Sequence, residues 1–228
     1  MKIDFRQPET MKTLIFCAGA PNPNLNTLNQ QHDLLVGVDA GAQTLWQHGH
    51  LPDWAIGDFD SAPPPPCRHI VRLQPEKNDT DLEYALQHIL ANYAAEKIEK
   101  IIILGALGGG RLDHLLANVY LAHQPRFADF VAKFHFVEQD NSLRFYRSGS
   151  HTIQREGDKK YLSFIGLTPL RQLSLHNVRY PLQQADFDAP IALISNEFLL
   201  NSMTFSLQNG TLAVIQSRDA ATSLKATP

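Results

Sequence analysis

The chain has 228 residues, 43% hydrophobic and 19% charged, with a net charge of −3, which suits one large globular domain or two small ones. So small a negative charge excludes bulk electrostatic attraction to nucleic acid, and no apolar run approaches the ~18 residues of a membrane-spanning helix. The two cysteines, Cys17 and Cys67, have no metal-ligand spacing; they argue against a disulfide framework and for a reducing cytoplasm.

The first ten residues are polar, lack a signal-peptide core, and precede a second methionine, Met11; they are expected to form a loose extension. Strand-like runs follow at 13–18, 34–38, 54–56, 70–73, 100–104 and 134–138. Helical patterns lie between several of them. A short one covers 42–48. The clearest covers 80–95, where Leu82, Ala85, Leu86, Ile89, Leu90 and Tyr93 recur at 3-4 spacing, and another covers 112–123. Strands alternating with helices predict a layered, mostly parallel α/β sheet, whose ligands bind beyond the carboxyl ends of the strands.

From about residue 141 the pattern changes to short strand-like runs at 143–146, 151–154, 161–166, 173–175, 203–207 and 211–216. Asn209-Gly210 is a hairpin signal. The expected organisation is an α/β domain over 11–140 and an all-β sandwich over 141–220, with the last residues, 220–228, frayed.

Carboxylates gather between Asp39 and Asp113, at or beyond the predicted strand ends. In Ile56-Gly57-Asp58-Phe59-Asp60-Ser61 two aspartates follow a strand at alternate positions. If the chain stays extended they share a face, and their repulsion calls for a divalent cation. Asn78-Asp79-Thr80-Asp81 repeats the pattern at the start of the clearest helix, with Lys77 as a phosphate counter-charge; Asp79 also reads as a helix N-cap. Together the pairs point to Mg²⁺ and a polyphosphate. Gly105-Ala106-Leu107-Gly108-Gly109-Gly110-Arg111-Leu112-Asp113-His114 follows a strand and opens a helix. Its glycines admit backbone N–H groups to an anion, and Arg111 offers a planar fork to phosphate. Asp113 faces the same mouth, suited to a cationic substrate or a hydroxyl nucleophile. The plain readings are turn aspartates and a glycine-rich capped turn. There is neither a P-loop nor a G-x-G-x-x-G.

Four motifs occur in order: Val36-Gly37-Val38-Asp39-Ala40-Gly41-Ala42, Ile56-Gly57-Asp58-Phe59-Asp60-Ser61, Glu76-Lys77-Asn78-Asp79-Thr80-Asp81-Leu82-Glu83, and Gly108-Gly109-Gly110-Arg111-Leu112-Asp113-His114. With the later Ile194-Ser195-Asn196-Glu197-Phe198 they resemble the thiamine pyrophosphokinases, over about residues 14–218. The resemblance implies a nucleotide-binding α/β domain followed by a β-sandwich that binds thiamine and dimerises. It implies transfer of the pyrophosphoryl group of ATP to the hydroxyl of thiamine, giving thiamine diphosphate and AMP. Asp58, Asp60, Asp79 and Asp81 would be the Mg²⁺ carboxylates, with Asp58, Asp60, Asp81 and Asp113 catalytic. Asp39, Lys77, Asp79, Thr80 and Arg111 would contact ATP. Asp113, with Ser195 and Asn196 of a partner subunit in a homodimer, would contact thiamine. Ala40 stands where the family motif has a second glycine, the glycine run is one residue longer, and Phe198 is a candidate aromatic partner for thiamine.

Three other readings compete. One is pyrophosphokinase action on another hydroxymethyl heterocycle, such as a pterin. Another is a phosphohydrolase of the haloacid-dehalogenase kind, which Asp58-Phe59-Asp60 imitates but Ser61-Ala62-Pro63 fits poorly. The third is a nucleotide or thiamine sensor without turnover.

Overall fold

The computed structural model describes residues 12–219. The expected loose extension and frayed end, and the outer limits of the two expected domains at 11 and 220, lie outside the described residues. The chain divides into two compact units, one ending at Gln139 and the other beginning at Asp140.

In the first unit the strands are β1 (Thr13–Cys17), β2 (Leu34–Val38), β3 (Trp54–Gly57), β4 (His69–Arg72), β5 (Lys100–Leu104) and β6 (Phe134–Val137). They lie in the order β6-β5-β1-β2-β3-β4, every pair parallel. Parallel strands are covered on both faces, so they form continuous apolar runs; β2 and β3 are buried at every residue, whereas the edge strand β4 is not. The helices are α1 (Ala40–Gln47), α2 (Asp81–Leu90) and α3 (Leu112–Tyr120). α2 buries Leu82, Ala85, Leu86, Ile89 and Leu90, each large side chain contributing about 1.5–3 kcal/mol.

Two of the helices are shorter than the periodicity predicts. Beyond Leu90, the Asn92 amide donates to the His88 carbonyl at 2.8 Å and ends α2 a turn early. Past Tyr120 the helix tightens into a 3-10 turn, Leu121–His123, because Pro125 disfavours helical geometry at Gln124.

The second unit has eight strands: β7 (Asn141–Tyr146), β8 (Gly149–Gln154), β9 (Tyr161–Gly166), β10 (Leu170–His176), β11 (Leu182–Phe187), β12 (Ile191–Glu197), β13 (Ser202–Leu207) and β14 (Leu212–Ser217). β12-β9-β14-β7 pair antiparallel, as do β11-β10-β13-β8. The chain changes sheet after nearly every strand, the order of a jelly roll. Leu162, Phe164 and Val214 from one sheet share a core with Leu173, Met203 and Phe205 from the other. The edge strands β11 and β12 escape sequence prediction: β11 carries polar residues on both faces, and β12 is broken by a bulge between Leu193 and Asn196.

Asn209-Gly210 does not make the expected hairpin. β13 and β14 on either side of it belong to different sheets. Instead the segment is tied to the β9–β10 connection: Arg171 N donates to Asn209 O at 3.0 Å and Thr211 N to Thr168 Oγ1 at 2.9 Å. Gly210 has φ +121°, and a Cβ there would lie 2.6 Å from the Pro169 carbonyl oxygen. Gly210→Ala is therefore expected to destabilise the protein by about 1–3 kcal/mol, read as a lower urea midpoint; an unchanged midpoint would contradict this account of the crossing.

Candidate active site

From β1 the chain builds β2, β3 and β4 on one side, then crosses to place β5 on the other side of β1. The loops after β1 and β5 thus part at a topological switch point, where open α/β sheets bind ligands. A pocket of ≈ 230 Å³ lies there, its wall including Gly19, Asp39, Asp81, Gly108, Gly109 and Arg111. Ala18 N donates to Leu104 O at 2.8 Å and Ala20 N to Gly105 O at 2.9 Å. Gly105 has φ +64°, and a Cβ there would lie 2.5 Å from Ala18 O. The glycine loop is also pinned from behind. Glu138 Oε1 accepts from Ala106 N at 2.7 Å and Leu107 N at 3.2 Å, and the buried Asn118 amide donates to Ala106 O at 2.7 Å. The N-cap residue of α3, Arg111, makes no side-chain cap, and it lines the pocket, so the start of the helix is available to an anion there.

The carboxylates do not form two side-by-side pairs. The strand ends at Gly57, and Phe59 takes φ +52°, so Asp58 and Asp60 do not share a face as an extended segment would place them. Asp58 turns inward, and oxygens of Asp39, Asp58 and Asp81 lie within 4.8 Å of one another. Asp60 is exposed, accepting from Ser61 Oγ at 2.8 Å. Asp39 is held with φ +46° and ψ −123°, a conformation that costs a non-glycine residue about 1–3 kcal/mol. Two bonds hold it: its N–H donates to Ile56 O at 2.9 Å, and its Oδ1 accepts from Phe59 N at 3.2 Å. Asp39, expected as an ATP contact, is thus a full member of the carboxylate cluster.

The second Asp-x-Asp splits in two directions. Thr80, not Asp79, caps α2: its hydroxyl accepts from Glu83 N at 3.2 Å while Glu83 Oε2 accepts from Thr80 N at 2.8 Å. Asp81, the first residue of the helix, turns to the cluster. Asp79 lies outside it, both oxygens held by the Arg126 guanidinium at 2.8 and 2.9 Å, whose hydrogen bonds keep the Asp79 carboxyl below its ordinary pKa. Lys77 Nζ stands 3.5 Å from Asp58 and 3.1 Å from Asp81. Burial works to lower its pKa, but Asp81 and then Asp58 outweigh it and raise it. One ammonium against three carboxylates leaves a formal charge of −2. Asp81 Oδ1 is buried, and the Lys77 ammonium at 3.1 Å is the cation beside it.

Hard oxygen donors within 4.8 Å of one another and a −2 imbalance fit a divalent cation of the Mg²⁺ kind, whose octahedral shell sets oxygens about 3–4 Å apart. Arg111 and Asp113 stand at the mouth, paired at 2.5 Å and both exposed.

In the second unit Ser195 is exposed at φ +60° on the β12 bulge. Asn196 is buried, and its side chain is spent on its own fold: Oδ1 accepts from Tyr180 N at 3.0 Å and Glu197 N at 2.9 Å, and Nδ2 donates to Tyr180 O at 2.9 Å. Phe198 is a core aromatic, packed with Leu162 and Phe164.

Arg126, Glu138, Asn118 and the Gly19 loop were not picked out by the motifs. Only Asn118 carries a local signal, a polar residue within a helical pattern; the others act across 20 residues or more.

The fold and pocket define an α/β protein with a switch-point anion pocket and an acidic rim. Comparison narrows this. Residues 25–133 match "Thiamin pyrophosphokinase, catalytic domain" and residues 150–212 match "Thiamin pyrophosphokinase, vitamin B1 binding domain". The chain is 34% identical over 221 residues to thiamine pyrophosphokinase of Bacillus subtilis (strain 168), covering 92% of this chain and 100% of that protein. A crystal structure of a thiamin pyrophosphokinase family protein from Enterococcus faecalis is 34% identical with a TM-score of 0.80, covering 92% of this chain and 100% of that one. Thiamin pyrophosphokinase from Candida albicans, at 15% identity, shares the fold with a TM-score of 0.75 over 91% of this chain and 90% of its own. The chain belongs to the thiamin pyrophosphokinase family.

Burial is the largest cause holding the Asp81 carboxyl above its ordinary 3.8, with Asp58 and Asp39 adding to it against Lys77. A carboxyl whose pKa is higher folded than unfolded costs stability once ionised; the cost is absent below the unfolded value and complete above the folded one. Asp81→Asn is therefore expected to raise the melting temperature near neutral pH, the gain fading as pH falls towards 3.8 and absent below it. Scanning fluorimetry that finds the variant less stable than wild type at neutral pH would contradict this.

Proposed function

We infer that this chain is a Mg²⁺-dependent thiamine pyrophosphokinase, transferring the pyrophosphoryl group of ATP to the hydroxyl of thiamine. The observation that carries the reading is the Asp39, Asp58 and Asp81 cluster at the rim of the switch-point pocket, in a chain matching both domains of the family. The first unit, a layered α/β fold, is the ATP-binding catalytic domain; the second, a β-sandwich, is the thiamine-binding and dimerisation domain.

In this reading the triphosphate lies against the glycine loop and the first amides of α3, with Arg111 and Lys77 as phosphate cations. Asp39, Asp58 and Asp81 are the residues that would hold Mg²⁺, which when bound offsets charge on the phosphate oxygens. The expected ligands Asp60 and Asp79 take other parts: Asp60 acts from outside the cluster and Asp79 holds the turn at Thr80. Asp113 receives the thiamine cation and orients its hydroxyl. That oxygen gives up its proton to water and forms a bond to the β-phosphorus, the bond to the α,β-bridging oxygen breaks, and AMP leaves. Such transfers demand positioning and charge neutralisation more than covalent help.

Arg111 and Asp113 are too exposed to exclude water by themselves. A homodimer would cover them, with Ser195 of the partner subunit at the acceptor and Asn196 of the partner subunit shaping its loop. Exposed apolar side chains on both units support an interface: Leu112, Leu116 and Tyr120 along α3, and Ile194, Leu199 and Leu200 around β12. Two free cysteines support a cytoplasmic location, and no helix among the described residues is long and apolar enough to cross a membrane.

Phosphorus NMR of the protein with ATP, Mg²⁺ and thiamine is expected to show AMP and thiamine diphosphate in equal amounts. ADP with thiamine monophosphate, or thiamine-independent phosphate release, would overturn the reading. Asp58→Asn and Asp81→Asn are each expected to lower turnover about 10²–10³-fold with the fold intact; near-wild-type turnover in both would remove the cluster from the reaction.

A further inference from the structure

Asp81 belongs to the cluster only because α2 begins where it does. The chain from Lys77 to Asp81 runs between two groups of charge. Lys77 and Asp81 face the cluster, whereas Asp79, Glu83 and Gln87 face a single guanidinium, that of Arg126. Its Nη1 donates to Asp79 at 2.8 Å and to Gln87 Oε1 at 2.6 Å, its Nη2 to Asp79 at 2.9 Å, and its Nε to Gln124 Oε1 at 2.7 Å. Glu83 lies 3.9 Å from Nη2 and also accepts from the Gln124 amide.

We propose that Arg126 is a positioning residue for the carboxylate site, holding the α2 N-terminus so that Asp81 meets Asp39 and Asp58. The inference rests on the metal-site reading above. Three features make the clamp stiff. First, the guanidinium grips Asp79 with both of its terminal nitrogens, fixing orientation as well as distance. Second, Glu83 is the residue that closes the capping box on Thr80; Arg126 and Gln124 thereby brace the cap, not only the turn before it. Third, Arg126 is anchored from below. It stacks 5.0 Å over Phe127, and Phe127 is buried edge-on against Phe134 of β6.

Removing the guanidinium leaves Asp79 and the nearly buried Glu83 as neighbouring carboxylates without it. Their repulsion, and the desolvation of Glu83, both oppose the capped start of α2. Asp81 is two residues from each, so its oxygen leaves the cluster before the apolar face of the helix leaves the core. The clamp also reaches α3: Gln124 and Arg126 follow directly on the 3-10 turn that ends it. One side chain therefore ties the carboxylate rim to the helix that opens at the glycine loop. It explains why the second Asp-x-Asp supplies one carboxylate to the cluster and one to an ion pair.

The test is Mn²⁺ binding followed by electron paramagnetic resonance, without ATP or thiamine, on wild type, Arg126→Gln, Arg126→Lys, Asp79→Asn and the Arg126→Gln/Asp79→Asn double variant, with amide exchange over residues 81–84 read in parallel. Arg126→Gln and Asp79→Asn are each expected to weaken Mn²⁺ binding about tenfold, Arg126→Lys less so. The double variant should be no weaker than the worse single one, because both break one interaction. Faster exchange at residues 81–84 should accompany the loss. Wild-type affinity in Arg126→Gln and Asp79→Asn, or fully additive losses, overturns the positioning role; should Arg126→Gln fail to fold, Asp79→Asn decides. If wild type itself binds no Mn²⁺, the metal reading fails, and unchanged exchange in the variants then overturns the clamp on its own terms.

Discussion

The site is organised around a repulsion. Oxygens of Asp39, Asp58 and Asp81 lie within 4.8 Å of one another, where each ionised pair repels by about 3 kcal/mol at an effective dielectric near 20. Nothing local brings them together. They arrive from the ends of β2 and β3 and from the start of α2, and each arrival is enforced. Asp39 is bent into a conformation suited to glycine and tied to the end of β3. Asp58 is turned inward by the left-handed Phe59. Asp81 is fixed by a capped helix, and Lys77 offsets part of the charge. A fold that concentrates like charges at some cost to its own stability suits a cation, as the proposed function requires.

The same logic explains the neighbourhood. Parallel strands direct all their carboxyl ends to one edge, and the crossing from β4 to β5 opens a crevice beside β1. Glycines let the backbone line that crevice, while Glu138 and Asn118 hold the loop rigid from the protein side. Anion donors and carboxylates thus face each other across one pocket. This juxtaposition suits a phosphate chain bridged by a metal, and membership of the thiamin pyrophosphokinase family gives the chemistry that uses it.

Much of this was legible in the sequence because the signals are local. The six strands of the first unit follow from apolar runs, and the four ordered motifs carry the family resemblance, which the domain matches bear out. The geometry within the motifs was less legible. Alternate positions share a face only while a chain stays extended, and Phe59 ends that condition between Asp58 and Asp60. Asp79 reads as a cap or a ligand until Arg126, 47 residues away, is seen to hold it. β11 and β12 were missed because β11 carries polar residues on both faces and a bulge breaks the alternation of β12, and the Asn209-Gly210 turn misleads because a jelly roll uses it to change sheets. Asn196 illustrates a related limit: a motif shows that a residue matters without showing whether it touches a ligand or shapes a loop.

The most direct test of the central claim is anomalous diffraction from a crystal soaked in Mn²⁺ with a non-hydrolysable ATP analogue. The account predicts a manganese peak bonded to oxygens of Asp39, Asp58 and Asp81, with Asp79 still paired to Arg126. A peak bonded to Asp79, with Arg126 displaced, or no peak among the three carboxylates, would contradict it.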